Sequence, residues 1–257
     1  MRLALGTLSV LPVPPPERVD RRTAGQAMVL APVVGLLLGA LVAAPLWLVD
    51  TVTDGLSPLV AATAAVAAVA GLTRGLHLDG LADTADGLGS GAGPAKALTV
   101  MRRSDIGPFG VATLVLALLL QVAGLSAAFA RGTGEVSLVA ALVVSRLALP
   151  LVCSRGVPAA RSDGLGSTVA GAVSRRGLLV AVTLAVGALA LVRLVGGDRA
   201  TPGGGVLWLV LGAVLPLALA ALLCRRCVRR FGGVTGDVMG ACVEVACTAS
   251  LLLGSFG

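Results

Sequence analysis

Gly25-Gln-Ala-Met-Val-Leu-Ala-Pro-Val-Val-Gly-Leu-Leu-Leu-Gly-Ala-Leu-Val-Ala-Ala-Pro-Leu-Trp-Leu-Val49 carries no charged side chain. A helix rises about 1.5 Å per residue and the hydrocarbon core of a bilayer is about 30 Å thick, so a run of this length can cross it. Apolar stretches of similar kind recur at residues 56–73, 107–130, 136–153, 177–195, 205–223 and 235–256. The fold expected is therefore all-α: a polytopic transmembrane helix bundle of about seven spans, forming one domain over residues 1–257. Composition agrees, with 56% hydrophobic and 13% charged residues and a mean hydropathy of +0.97. Abundant Ala, Gly and Val in the spans favour close helix contact inside lipid.

The first span follows a Pro-rich, basic segment (Pro12, Pro14, Pro15, Pro16, Arg18, Arg21, Arg22), so it is not expected to be a cleaved signal peptide. Placing the N-terminus in the cytoplasm puts sixteen of the twenty Lys and Arg residues on that side. Arg131, Arg193 and Arg199 fall outside, and Arg146 lies within the fourth span. The positive-inside rule thus favours an N-terminus-inside orientation. A net charge of +7 might suggest nucleic acid, but the cations are spread over every inside segment and aromatic residues make up only 2%. No nucleic-acid partner is expected; lipid is. Of the cysteines Cys153, Cys224, Cys227, Cys242 and Cys247, the Cys224-x-x-Cys227 pair lacks a second pair or a nearby histidine, and all five read as small packing residues.

Charge is scarce, so the inside loop at about 74–106 draws the functional reading. It contains His77, the sole histidine, and Asp79, Asp83 and Asp86. On a helix these three acids fall at i, i+4 and i+7 and share a face. Solvated helix caps are the plain alternative, but three converging anions beside an apolar bundle call for a hard divalent cation, Mg²⁺ or Mn²⁺. They are the candidate catalytic and metal residues, and His77 is either a further catalytic group or a hydrogen-bonded structural one. Beyond them, Lys96, Arg102, Arg103, Ser104 and Asp105 precede the third span. Arginine forks match phosphate oxygens, although simple membrane anchoring explains the same cations. Arg146, mid-span, needs an internal partner, for which a substrate phosphate is one candidate. Asp237 and Glu244, seven residues apart on the last span, share a face and either complete the metal site or, for Asp237, cap the helix.

These segments resemble the adenosylcobinamide-GDP ribazoletransferases, or cobalamin synthases. The likeness rests on Leu11-Pro-Val-Pro14, the run from Gly75 through His77, Asp79, Asp83 and Asp86 to Gly87, Met101 to Gly110, Ser145-Arg146, Gly164-Leu-Gly166, Gly232 to Asp237, Gly240-Ala241 and Glu244. The resemblance implies an integral enzyme of the prokaryotic inner membrane, its active site facing the cytoplasm. It would join α-ribazole or its 5′-phosphate to adenosylcobinamide-GDP with Mg²⁺ and release GMP. It further implies metal or base roles for Asp79, Asp83 and Asp86. Two departures stand out. The family's usual Asp-Ser-Arg is Arg103-Ser104-Asp105 here, an exchange in which Asp105 and Arg103 would swap duties, and Cys247 stands where many relatives carry Glu. A CDP-alcohol phosphotransferase is the nearest enzyme alternative, but its Asp-Gly-x-x-Ala-Arg opening is missing. An ion-coupled transporter would explain the spans but not the acidic loop.

Overall fold

The computed structural model describes residues 1–14, 19–53, 55–196 and 205–254, with side chains in 205–210 left aside. Arg18, Arg199 and the end of the seventh predicted span beyond residue 254 lie outside the described residues. The described chain is helical, with isolated bridges in place of strands. Its helices are α1 (Arg2–Leu8), α2 (Arg21–Val29), α3 (Ala31–Val52), α4 (Pro58–Leu72), α5 (Leu76–Gly89) and α6 (Pro94–Val100). They continue with α7 (Pro108–Ala130), α8 (Gly134–Val152), α9 (Gly164–Val169), α10 (Arg175–Gly196), α11 (Gly205–Phe231) and α12 (Gly236–Gly254). Among the described residues, α3, α7, α8, α10, α12 and residues 211–231 of α11 are each long and apolar enough to cross a membrane. The chain is a multi-pass membrane protein.

Two local departures from the expected spans have clear causes. The first predicted span divides at Leu30. Its leading part, α2, starts at an Asp20–Thr23 capping box, in which the Thr23 amide donates to Asp20 at 2.7 Å and the Asp20 amide to Thr23 at 2.9 Å. The second apolar stretch becomes α4, which is short at about 22 Å. There the chain turns through 88° into α5. Arg74 (φ 55°) and Gly75 (φ 64°) both adopt left-handed backbone at the corner, and the Gly75 amide reaches back to the Ala70 carbonyl at 2.8 Å, closing the end of α4. The expected loop at 74–106 thus contains two helices, α5 and α6. With its three carboxylates, α5 turns away from α4 and packs against α7 and α12, where Leu81 meets Ala117 and Ala241.

Burial identifies the centre. The apolar window of α8 is 72% buried and that of α12 61%, against 17% for α10 and 22% for α11. α8 and α12 therefore form the axis, and α10 and α11 turn broad faces toward lipid. Small residues allow the tight contact: a Cβ built on Gly35 of α3 would stand 2.3 Å from the Leu142 carbonyl oxygen of α8. The five cysteines are free and buried, as packing residues should be. Charge separates by end. The Arg21, Arg161 and Arg230 side chains donate to backbone carbonyls at the end that holds α5, while Arg131 meets the Gly254 carbonyl at the other.

Candidate active site

At the end of the bundle that carries α5, a cavity of about 310 Å³ opens between α5, α9 and the start of α12. Asp79 and His77 face it from α5, Asp237 from α12, and Arg102, Arg161 and Asp163 from the connecting segments. Backbone pairing assembles these distant pieces. The Val234 amide donates to the Pro158 carbonyl at 2.9 Å and the Ala160 amide to the Val234 carbonyl at 3.0 Å. That pairing carries Arg161 to Asp237, where Nη1 stands 4.0 Å from Oδ2, while Arg161 Nη2 donates to the Leu98 carbonyl at 2.6 Å. Arg102 Nη2 meets both Asp163 oxygens, at 2.6 and 2.7 Å. The Thr235 hydroxyl donates to Asp237 at 3.1 Å. Carboxylates and guanidinium groups thus share one cavity.

The helical spacing of the acids holds, but their surroundings differ. Asp79 is exposed at the cavity. Asp83 is half-buried one turn further on, and its carboxyl is pushed up to about 7 by burial foremost, then by the charges of Asp79, Asp237 and Asp86, with Arg161 pulling the other way. That shift reflects the burial of the carboxyl first and the neighbouring anions second. Asp86 is buried, and its oxygens accept from the Gly107 amide at 2.7 Å and the Gly110 amide at 2.9 Å. It therefore caps α7 from a neighbouring helix, where the helix dipole favours an anion.

Seating α5 this close requires Gly80. A Cβ there would lie 2.6 Å from the Asp237 backbone oxygen. Gly80→Ala is expected to force α5 off α12, costing about 1–3 kcal/mol of stability and separating Asp79 from Asp237. Thermal unfolding in detergent, together with turnover, checks this; wild-type values for both would contradict the close contact.

Mg²⁺ is held in proteins by one or two carboxylates, with substrate phosphates and water completing its shell. Asp79 and Asp237, which face the cavity, are hard oxygen donors suited to that role, with Arg161 4.0 Å from Asp237 and Asp83 one turn behind Asp79. Among the described residues no group of three or more His, Cys, Asp or Glu side chains is placed to hold a metal ion by itself. The set fits a cation that needs substrate oxygens.

The remaining predicted residues separate. Lys96, Arg103, Ser104 and Asp105 are exposed and do not line the cavity. Arg146 is 1% exposed inside α8, its Nη1 donating to Ser145 Oγ at 3.0 Å, while Nε and Nη2 lack hydrogen-bond partners in the protein. Glu244 is buried within Coulombic reach of it and accepts from Gln121 Nε2 at 2.8 Å. Asp237 and Glu244 do share a helix face, yet two turns, about 10 Å, separate the cavity from the interior pair. His77 stands between the two centres: it lines the cavity and has neither ring nitrogen bonded to protein, and burial foremost, then the Arg146 charge, favours its neutral imidazole.

A family model described as cobalamin-5-phosphate synthase matches residues 1–255. The chain belongs to this family. Among curated relatives, a Nocardioides protein named adenosylcobinamide-GDP ribazoletransferase is 47% identical, with 98% of this chain and 96% of the relative covered. A Frankia casuarinae protein of the same name is 42% identical over 98% of this chain and 92% of the relative. One from Syntrophobacter fumaroxidans is 38% identical over 95% and 92%. No solved structure matches.

Within the cobalamin-5-phosphate synthase family, this chain's reversed Arg103-Ser104-Asp105 segment lies on the exposed approach to α7, and Arg102 beside it faces the cavity. The second departure falls in the interior, where Cys247 is buried near Arg146 and Glu244. The sequence reading missed Arg161, Asp163 and Gln121. Arg161 stands three residues before Gly164-Leu-Gly166, which is the one signal the sequence offers for it. Gln121, uncharged in a long apolar run, gave none beyond its polarity.

Proposed function

We propose that the chain joins α-ribazole, or α-ribazole 5′-phosphate, to adenosylcobinamide-GDP with release of GMP, using Mg²⁺ at the cytoplasmic face of a prokaryotic inner membrane. One observation supports this most: Asp79 and Asp237 share a cavity with Arg102 and Arg161. A diphosphate needs cationic forks for its oxygens and carboxylates for the divalent ion that accompanies it. The names of the relatives supply the substrate. The basic residues around the cavity support the cytoplasmic orientation.

In the reaction, a ribose hydroxyl oxygen of the acceptor forms a bond to the cobinamide-bound phosphorus. The bond from that phosphorus to the bridging oxygen breaks, and GMP leaves with the electron pair. A bound divalent ion supplies neutralisation of the phosphate charge. Asp79 and Asp237 would hold it together with substrate oxygens, Asp83 would add negative charge from one turn further along α5, and one carboxylate facing the cavity receives the hydroxyl proton. Arg161, fixed by the Leu98 carbonyl, and Arg102, once released from Asp163, bind the departing phosphate. Neutral His77, both of its ring nitrogens buried, backs the cavity wall. Asp86 and the Arg146–Glu244 pair maintain the helices that carry these groups. A cavity of about 310 Å³ takes the diphosphate and its near neighbours, leaving the corrin ring at the mouth.

Two substitutions separate the cavity from the nearby basic segment. Arg102→Ala should lower GMP release about 10- to 100-fold, the loss of a charged hydrogen-bonding fork, whereas exposed Asp105→Ala should stay within about twofold. The reverse ranking, by initial rates in proteoliposomes, would assign phosphate binding to the segment after Arg102. The reaction itself is tested by supplying purified protein with adenosylcobinamide-GDP plus α-ribazole, and separately with CDP-diacylglycerol plus an alcohol. Cobalamin and GMP are expected from the first pair alone; a phospholipid product from the second would replace this reading with the CDP-alcohol one.

A further inference from the structure

We propose that the chain binds an anionic phospholipid at the start of α10, with the headgroup phosphate among Arg155, Arg175 and Arg176 and the acyl chains on the adjoining apolar surface. These arginines, with Ser154, Ser174 and neighbouring apolar residues, line a pocket of about 920 Å³ that no carboxylate enters. The pocket is held by backbone. The Arg155 amide donates to the Val173 carbonyl and the Val173 amide to the Cys153 carbonyl, each at 3.0 Å, which fixes the end of α8 beside the first turn of α10. Ser174 Oγ accepts from the Gly177 amide at 3.1 Å.

Electrostatics call for an anion here. Arg175 and Arg176 occupy the N-terminal turn of a long helix, where the dipole disfavours cations. The salt bridges among the described residues involve Arg102 and Arg161, and none of these three arginines takes part. A phosphate diester offers oxygens that several guanidinium groups can share.

The neighbouring surface makes the ligand amphipathic. Sharing the Val173–Ser174 wall is a second cleft of about 760 Å³, with Val29, Leu30 and Val180 inside and Arg2 and Arg22 among its lining. Beyond it, α10 exposes Leu179 (67%) and Val186 (61%) toward lipid. Inorganic phosphate would use only the first pocket; a phospholipid uses both surfaces. The arginines at the end of α11 form an internal comparison. Arg225, Arg226 and Arg229 line a smaller pocket at a helix C-terminus, where the dipole already offsets their charge.

The test measures binding of short-chain phosphatidylglycerol, phosphatidylcholine and inorganic phosphate to the full-length protein in neutral detergent, by native mass spectrometry and thermal shift. Phosphatidylglycerol should bind about tenfold tighter than phosphatidylcholine. Arg155→Ala/Arg175→Ala/Arg176→Ala, all at exposed positions, should abolish that preference, and Arg225→Ala/Arg226→Ala/Arg229→Ala should keep it. Equal binding of the two lipids to wild type would overturn the proposal, as would equal loss in both variants. Inorganic phosphate matching phosphatidylglycerol would likewise overturn it, assigning the pocket to a soluble anion.

Discussion

Asp237→Asn should reduce GMP release roughly 100- to 1,000-fold while leaving the protein folded in the membrane. The change keeps size and a hydrogen-bonding oxygen, so Thr235 can still donate, but it removes a charge from the part of the cavity where Arg161 stands 4.0 Å away. Two consequences follow from that one charge. A divalent ion held there would lose a hard anionic ligand, and Arg161 would lose the carboxylate beside its fork. Asp79→Asn should give a loss of the same order, because Asp79 faces the cavity without the support of Asp237's neighbours. Raising Mg²⁺ should restore part of the activity of either variant, as expected when affinity for the ion has fallen. Initial rates across a Mg²⁺ titration in proteoliposomes measure both effects. Near-wild-type rates for both variants at low Mg²⁺ would remove these carboxylates from the reaction.

Glu244→Ala should act on stability, lowering it by about 1–3 kcal/mol, because it strips the buried Gln121 amide of its acceptor and removes the anion within Coulombic reach of Arg146. Arg146 already has two guanidinium nitrogens without hydrogen bonds to protein, and Cys247 provides no carboxylate nearby. Replacing both members, Arg146→Met with Glu244→Leu, should restore much of the loss, since a well-packed apolar pair avoids a buried charge. Thermal unfolding of the purified variants in one detergent gives the comparison. If Glu244→Ala unfolds at the wild-type temperature, the pair does not hold the bundle together.

The spans were readable because lipid leaves a coarse signature: long uncharged runs and cations gathered at one end. Local rules also placed Asp79, Asp83 and Asp86 on one helix face. What composition could not show was the corner at Arg74–Gly75, where left-handed backbone turns α5 away from α4 and makes helices of an expected loop. Nor could spacing separate acids that share a face. Asp86 caps α7 through amides more than twenty positions away in sequence, and Glu244 is separated from Asp237 by two turns of helix that run inward. Arg161 enters the site through backbone pairing between residues 158–160 and Val234, a contact that neither segment announces by itself. Long-range partners determine which charged residues work together, and periodicity carries no information about them.

The most direct measurement is the position of adenosylcobinamide-GDP in a cryo-electron microscopy structure of the full-length protein with Mg²⁺ and a non-reacting acceptor. The diphosphate should lie in the α5–α9–α12 cavity, with Arg102 and Arg161 on its oxygens and the ion toward Asp79 and Asp237. A diphosphate seated instead on the exposed Lys96 and Arg103–Asp105 segment, with that cavity empty, would contradict the assignment.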